Sequence, residues 1–287
     1  MMEFVDLHTH SCASDGTDSP AALVRKAARA GLRAVALTDH DTVSGLNEAQ
    51  AVGRDCGVEV IRGCEVSAGS PYGEVHLLGL WLPQDVGELA LVLENLRRQR
   101  QTRNLHIMDK LAGLGMRLDY DEVLAVAGGE TVGRPHIARA LVDRGYAASM
   151  RECFDRLLGR SGAAFVPRQS LELTQAVRLL AGLGATVSLA HPRLIPCPDA
   201  WLENMVGELV PCGLTALEAY HSDYSEADER FCVDVAARHG LMLSGGSDYH
   251  GGAKPGIQLG RGRGRLRVTG FVLDGLKKAR RRQGLPA

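Results

Sequence analysis

This sequence has few of the features of an exported, membrane-spanning or disulfide-stabilised protein. Its first ten residues, MMEFVDLHTH, contain no basic segment followed by an apolar one, and no run of about 18 uninterrupted apolar residues occurs later. The seven cysteines are an odd number and form no C-x-x-C pair, which argues against a disulfide framework. We therefore expect a cytoplasmic protein that does not span a membrane.

Net charge and aromatic content are also low. The formal net charge is -1 and aromatic residues make up 5% of the chain, so the composition shows neither general attraction to nucleic acid nor a base-stacking motif. Positive charge is concentrated near the C-terminus, in GRGRGRLR (260–267) and KKARRR (277–282). We expect a solvated basic helix end there, with attraction of a polyanionic substrate as the alternative.

Strand and helix patterns alternate over most of the chain. Ser19 and Pro20, for example, predict the start of a first helix directly after a first strand. Residues 99–167 are instead almost entirely helical in pattern. We predict an α/β fold in which residues 1–98 and 168–287 form a β/α barrel-like body, interrupted by a helical insertion at 99–167.

Histidines and carboxylates are concentrated where the predicted strands end. Loops that follow parallel strands meet on one face, so side chains that are distant in sequence converge there. In an H-x-H pair both imidazoles point to the same side of the strand, so His8 and His10 can bind one cation. The candidate ligands are His8, His10, Asp15, His40, Glu65, His76, His191, Asp248 and His250.

This mixture of imidazole and carboxylate oxygen, without cysteine pairs, is a ligand set for Zn²⁺, Mn²⁺ or Fe²⁺. One ion uses about four or five ligands, so the surplus indicates two or three ions that share a bridging carboxylate. Glu65, expected at the end of the third strand, is the bridge candidate. Such a centre activates water and binds phosphoryl oxygens during in-line displacement.

The ordered motifs resemble those of the PHP superfamily, named for polymerase and histidinol phosphatase. They run from residue 4 to about residue 252 and read DLHTHSCASDGTDSP, LTDHDTVSG, GCEVSA, HLLG, AHP, LEAYHS and SGGSDYHG. The resemblance implies a distorted seven-stranded β/α barrel with three divalent ions, of which Mn²⁺ is the first expectation and Fe²⁺ or Zn²⁺ the alternatives. Because every ligand position is filled, it also implies an active enzyme.

The resemblance further implies how the ligands are divided among the ions. His8, His10, Glu65 and Asp248 would hold one ion; Glu65, His76 and His191 a second; and Asp15, His40 and His250 a third.

Three further residues are expected to handle the substrate. Arg134 and His136 stand at the start of a predicted helix, whose N-terminal amides favour anions, and the resemblance implies that an arginine of the insertion binds phosphate. His221 is assigned to the substrate phosphate or to protonation of the leaving group. Arg134 and His221 are therefore the catalytic candidates, and Arg134, His136 and His221 the substrate-binding ones.

The predicted activity is that of a phosphomonoesterase in which a metal-bridging hydroxide attacks phosphorus. By resemblance, the substrate would be the 3′-phosphate of nucleoside 3′,5′-bisphosphates, with 5′-to-3′ exonuclease activity on short RNA as the main alternative. The expected partner is thus a small nucleotide or a short RNA, without a membrane or an obligate protein partner.

Three other functions fit the sequence less well. A histidinol phosphatase would need an acidic pocket residue for its cationic substrate, which the sequence does not identify. An amidohydrolase often has a bridging lysine at a strand end, and no lysine stands at such a position. A non-enzymatic metal-binding module would not need every ligand intact.

Overall fold

The structure, a computed structural model, describes residues 3–127, 132–167 and 170–287. The strands are β1 (Phe4–Thr9), β2 (Leu32–Leu37), β3 (Glu59–Ser70), β4 (Gly73–Leu80), β5 (Leu171–Glu172), β6 (Thr186–Leu189), β7 (Leu214–His221) and β8 (Met242–Gly246). The helices are α1 (Pro20–Arg29), α2 (Leu46–Cys56), α3 (Glu88–Gly113), α4 (Tyr120–Ala127), α5 (Arg134–Asp143), α6 (Met150–Cys153), α7 (Leu173–Gly182), α8 (Asp199–Leu209), α9 (Glu226–His239) and α10 (Gly270–Arg282). Within the described ranges, no helix combines the length and the apolar composition that crossing a bilayer requires.

Seven strands form a nearly closed barrel in the order β1-β2-β3-β4-β6-β7-β8, and the short β5 lies beside β3. The barrel closes where the ends of β1 and β8 meet: the Asp248 amide donates to the His8 carbonyl (2.9 Å) and the His10 amide to the Tyr249 carbonyl (2.8 Å). The predicted fold class, a distorted seven-stranded β/α barrel, is confirmed.

Strand β4 runs antiparallel to both of its neighbours, whereas the other pairings among the described strands are parallel. Only two residues separate β3 from β4, too few for the crossover that a parallel neighbour needs, so the chain turns back as a hairpin with Gly73 at φ 126°. As part of this hairpin, β3 continues past Glu65 to Ser70, so the expectation that the third strand ends at Glu65 is wrong.

The apolar core divides along helix α3. Leu89, Leu93 and Leu96 belong to the core cluster of the barrel, whereas Ile107 and Leu111 belong to a separate cluster formed by the helices that follow. Helix α3 itself crosses the predicted boundary at 98–99 without a break. The division of the core supports the predicted insertion, which we retain as a proposal. Its other predicted boundary, at residue 168, lies outside the described residues.

Helix α10 carries the basic segment 277–282 to the end of the barrel where the parallel strands begin. Lys277 Nζ lies 2.6 Å from a carboxylate oxygen of Glu59, the first residue of β3. Arg280 is buried and donates to Thr186 Oγ1 (3.2 Å), at the start of β6. The basic segment is therefore at the opposite end from the loops that follow the parallel strands.

Candidate metal centre

All nine predicted ligands lie together at the carboxyl end of the parallel strands. We call these residues the histidine–carboxylate cluster: His8, His10, Asp15, His40, Glu65, His76, His191, Asp248 and His250. Most of these residues are buried, and none of them is exposed. Their ligand atoms fall into overlapping groups of three or four, and within each group the atoms lie within 4.8 Å of one another.

The backbone turns sharply where three strands reach the cluster. Asp41 follows His40 with φ 52°, His191 follows β6 with φ 30°, and Asp248 follows β8 with φ 55°. These left-handed values are uncommon for residues other than glycine. Each turn lies within four residues of the end of a strand, at His191 and Asp248 themselves and at the residue that follows His40.

Glu65 is the centre of the cluster. Imidazole nitrogens of five residues lie 3.0–3.3 Å from its two carboxylate oxygens, namely His8, His10, His40, His76 and His191. Despite this proximity, Glu65 Oε2 is buried and has no hydrogen-bond partner among the described residues. A buried carboxylate oxygen that is close to imidazole lone pairs without hydrogen bonding to them suits a ligand shared between cations.

Glu218 orients His8 from outside the cluster. Its fully buried carboxylate accepts from His8 Nδ1 at 3.0 Å and from the His191 amide at 2.6 Å. His8 therefore carries a proton on Nδ1 and presents Nε2 to Glu65 and to Asp248, which lies 3.7 Å away. A carboxylate behind a ligating imidazole is a common support in metal sites. Glu218 lies in β7, three residues before His221, and its sequence pattern gives no reason to assign it this role.

Two other imidazoles are oriented in the same way. His76 Nε2 donates to Glu74 Oε1 at 3.0 Å, so Nδ1 faces the cluster. His250 Nδ1 donates to the Asp248 carbonyl at 2.8 Å, so Nε2 faces Asp15 Oδ1 at 3.2 Å. In each case the outer nitrogen has a fixed acceptor, so the inner nitrogen is the one whose lone pair can bind metal once any proton on it is displaced.

The donor set fits divalent cations. Ligands bonded at about 2.1 Å to one ion lie about 3.0–3.4 Å apart in octahedral or tetrahedral geometry. In the structure, His8 Nε2 and His10 Nε2 are 3.1 Å apart, and His10 Nε2 lies 3.4 Å from Asp248 Oδ1. His10 Nδ1 and His40 Nδ1 are buried without hydrogen-bond partners among the described residues. The residues present thus match a metal centre in both spacing and chemistry.

The carboxylates of the cluster remain ionised despite their burial. Burial alone would raise the pKa of Glu65, but His40, His76 and His8 hold it well below its usual value. The same opposition of burial and positive charge holds the pKa of Asp15 low beside His250, and the pKa of Asp248 low beside Lys254. The cluster therefore offers ionised carboxylates to a bound cation.

When metal is absent, these carboxylates favour protonation of neighbouring imidazoles. Burial opposes charge on His10, but the neighbouring carboxylates of Asp248 and Glu65 raise its pKa to about 9. Burial likewise opposes charge on His76, and Glu65 raises its pKa to about 10. At His40 burial prevails and lowers the pKa to about 3. Protons on His10 and His76 therefore compete with metal for the same lone pairs.

A cavity of about 230 Å³ opens onto the cluster. It is lined by His40, Glu74, His76, His191, Leu194, Ile195, Asp248 and Lys254. Lys254 is the cation on its wall, with Nζ 2.6 Å from Asp248 Oδ2. Sequence patterns did not identify Lys254, because it lies in a turn eight residues after the end of β8 rather than at a strand end. The cavity offers an anionic ligand both a cation and the faces of the candidate ligands.

The predicted substrate residues, unlike the nine predicted ligands, do not lie together in one group. Arg134 begins α5, and its guanidinium donates to the Leu158 carbonyl at 3.4 Å. His136 is buried, and its Nδ1 accepts from the Gly133 amide at 3.0 Å, which caps the same helix. Near these residues α5 approaches the cluster, since a Cβ atom on Gly133 would lie 3.9 Å from Asp15 Oδ2.

His221 is buried at the end of β7, beside the cluster. Its Nδ1 accepts from the Asp223 amide at 3.2 Å, so Nε2 carries the proton. That nitrogen lies 3.5 Å from Asp248 Oδ2 and has no hydrogen-bond partner among the described residues. His221 can thus hold a proton next to a candidate ligand.

The barrel, the cluster and its cavity define a metal-dependent phosphoesterase. The chain belongs to the PHP domain family, whose model matches residues 6–163. A solved structure from Bifidobacterium adolescentis, assigned as a metal-dependent phosphoesterase, matches with a TM-score of 0.84 and 30% identity over 97% of this chain and 96% of its own.

Curated relatives with three different activities are similar to this chain. A phosphoribosyl 1,2-cyclic phosphate 1,2-diphosphodiesterase of Eggerthella lenta is 33% identical over 86% of this chain and 94% of its own length. A 5′-3′ exoribonuclease of Haemophilus influenzae is 31% identical over 87% and 91%. A 3′,5′-nucleoside bisphosphate phosphatase of Chromobacterium violaceum is 31% identical over 90% and 91%. Each of the three is named for a substrate that contains phosphate esters.

Proposed function

We propose that the histidine–carboxylate cluster holds three divalent ions, with Mn²⁺ preferred over Fe²⁺ or Zn²⁺. The first ion would be bound by His8, His10, Glu65 and Asp248, the second by Glu65, His76 and His191, and the third by Asp15, His40 and His250. The observation that carries the proposal is the orientation of His8, His76 and His250: their outer nitrogens are hydrogen bonded, while the inner ones face Glu65 (His8 and His76) or Asp15 (His250).

Distances within the groups support this division. His76 Nδ1 and His191 Nε2 each lie 3.0 Å from Glu65 Oε1 and 3.3 Å from each other. His10 Nδ1 is 3.8 Å from Asp15 Oδ1, so His10 stands between the first and third groups. Elemental analysis of protein saturated with Mn²⁺ tests the number, and a value near one ion per chain would refute it.

Bound divalent ions supply Lewis-acid activation of water and neutralise charge on the phosphoryl oxygens. The residues around them bind and orient the ester. Lys254 Nζ, on the cavity wall, donates to a phosphoryl oxygen, and Arg134 at the start of α5 binds a further one. His221 would donate a hydrogen bond from Nε2–H to the leaving oxygen. His136, which caps α5, fixes the start of the helix and hence the position of Arg134.

The proposed substrate is a nucleoside 3′,5′-bisphosphate, from which the 3′-phosphate is removed. The Chromobacterium violaceum relative supports this substrate. The cavity, about 230 Å³, is smaller than the roughly 300–1,000 Å³ that encloses a whole small ligand. It therefore suits the phosphate and the adjoining sugar, with the base outside.

Phosphate release from adenosine 3′,5′-bisphosphate by protein loaded with Mn²⁺ tests this proposal. We expect release from this substrate and little from adenosine 5′-monophosphate; no release from either would refute it. Lys254→Met should raise KM at least tenfold, because the cavity loses its cation. Lys278→Met removes an exposed lysine of α10, far from the cluster, and serves as the matched control.

Hydrolysis of short RNA is the second candidate, supported by the Haemophilus influenzae relative. Segment 277–282 lies at the wrong end of the barrel to hold RNA at the cluster. Segment 260–267 is better placed, since Arg263 contacts Asp223 (2.6 Å), two residues beyond His221. Mononucleotides released from a labelled pentaribonucleotide, with a rate that falls in Arg263→Gln, would favour this candidate.

The same substrate panel should include phosphoribosyl 1,2-cyclic phosphate, because the Eggerthella lenta relative is named for it. Preference for the cyclic ester over adenosine 3′,5′-bisphosphate would displace the bisphosphate as the proposed substrate but leave the metal centre unchanged.

A further inference from the structure

Both the backbone and the side chain of Asp41 are hydrogen bonded, although Asp41 is neither in the histidine–carboxylate cluster nor on the cavity wall. It directly follows His40 and has a left-handed backbone. Its amide donates to the Glu65 carbonyl at 2.9 Å, and its carboxylate accepts from the amide and hydroxyl of Ser67 at 2.9 and 3.2 Å. Ser67 is two residues after Glu65, so it lies on the same face of β3. Asp41 thus fastens the His40 loop to the strand that carries Glu65.

Further contacts of Asp41 come from helix α3. Arg100 Nη2 lies 2.6 Å from Asp41 Oδ2 and 3.3 Å from Ser67 Oγ. Arg97 Nη1 donates to the Asp41 carbonyl at 2.8 Å. Asp41 is fully buried and Arg100 is 7% exposed, so this ion pair is shielded from water. Arg97 and Arg100 stand where α3 passes from the barrel core to the core of the helical region.

The chemistry of this pair indicates a role in positioning rather than stability alone. A buried ion pair is seldom more stabilising than apolar residues of similar size, but it holds its partners in one arrangement. An aspartate keeps a left-handed backbone conformation only where several surrounding contacts compensate for its cost. Here the surroundings are Arg97, Arg100 and β3, and the side chain held in place by them is His40, whose ligand atom lies within 4.8 Å of those of Asp15 and His250.

We propose that Arg100, assisted by Arg97, is a positioning residue for the metal centre: through Asp41 it holds His40 in ligating geometry and so couples helix α3 to one metal ion. The inference rests on the proposed metal-binding function. It predicts an effect confined to the ion that His40 serves with Asp15 and His250, rather than a general loss of metal.

The test is a titration of metal-free protein with Mn²⁺, followed by calorimetry. Arg100→Gln should weaken one Mn²⁺ equivalent about 10- to 100-fold, the usual effect of removing an outer partner of a ligand, and leave the others unchanged. Arg100→Lys keeps the charge but loses the planar fork, and should be intermediate. Arg98→Gln, from an exposed pair with Glu94 on the same helix, is the matched control.

Each other outcome overturns the inference. Arg100→Gln that binds every equivalent as Arg98→Gln does would show that Asp41 needs no support from α3. An equal weakening of all equivalents would show a general structural role. Should Arg100→Gln lose helix content, Arg97→Gln, which removes only the contact with the Asp41 carbonyl, decides between the same outcomes. Failure of the unaltered protein to bind Mn²⁺ would instead refute the proposed function.

Discussion

Replacement of Glu218 by glutamine tests whether the outer partner of His8 supports the metal centre. Glu218 uses one oxygen for His8 Nδ1 (3.0 Å) and the other for the His191 amide (2.6 Å). Glutamine has nearly the same shape but only one acceptor oxygen, so either the His191 amide loses its acceptor, or His8 Nδ1 exchanges its 3.0 Å acceptor for an NH2 donor and keeps only the 3.2 Å contact with the other oxygen position. The change therefore perturbs a ligand on each side of Glu65 without creating a cavity.

Two magnitudes follow from this geometry. A buried N–H group without an acceptor costs about 1–3 kcal/mol, which lowers Tm by about 2–12 °C for a chain of this size. Loss of an outer partner weakens metal binding by about 10- to 100-fold, or about 1.4–2.7 kcal/mol. We expect Glu218→Gln to show both effects, and kcat/KM at limiting Mn²⁺ to fall in proportion to metal occupancy. Calorimetric titration with Mn²⁺ and thermal unfolding measure them.

Glu203→Gln is the matched control, because the same chemical change there affects a surface ion pair with Arg238 and a longer contact with His239 (3.9 Å), both outside the cluster. The reasoning would be refuted if Glu218→Gln bound Mn²⁺ with the affinity of Glu203→Gln. A loss of Tm with unchanged metal affinity would limit Glu218 to a structural contact.

Three further predictions concern pH, the division of ligands and the basic segment. Because the pKa values of His10 and His76 are raised from 6.5 to about 9 and about 10, their contribution to the stability of metal-free protein is complete below pH 6.5 and is lost as pH rises toward 10. Mn²⁺ affinity should therefore increase over that interval, with proton release measurable by titration in buffers of different ionisation enthalpy. Asp15→Ala and His8→Ala should deplete different ions, as seen by anomalous scattering; depletion of one common ion by both would contradict the proposed division. Arg281→Glu should leave the salt dependence of turnover unchanged, because 277–282 is remote from the cluster, and a steeper or shallower slope in a salt series would show otherwise.

The cluster could be predicted because its signals are local. An H-x-H pair, a carboxylate a few residues later and polar residues directly after apolar strands each identify a position without knowledge of the fold. The pattern then requires only that parallel strands end on one face. It located His8 and Asp248, 240 residues apart, at one centre.

The supporting residues could not be predicted in the same way. Glu218 and Lys254 resemble many other charged residues in the sequence, and their roles depend on distances to side chains far along the chain. The pairing of Asp41 with Arg100 spans 59 residues and two structural elements. The reversal of β4 also altered expectations, because Glu65 lies inside a long hairpin strand rather than at its end.

The left-handed backbone at Asp41, His191 and Asp248 creates a trade-off between thermostability and activity in this protein. Such conformations cost on the order of 1–3 kcal/mol each in residues other than glycine. Glycine would relieve that cost, so a laboratory selection for thermostability alone would favour a change such as His191→Gly. The same selection would remove a candidate ligand each time. Engineering a more robust variant should therefore leave these three positions fixed and seek its gains in the barrel core or in the helices remote from the cluster.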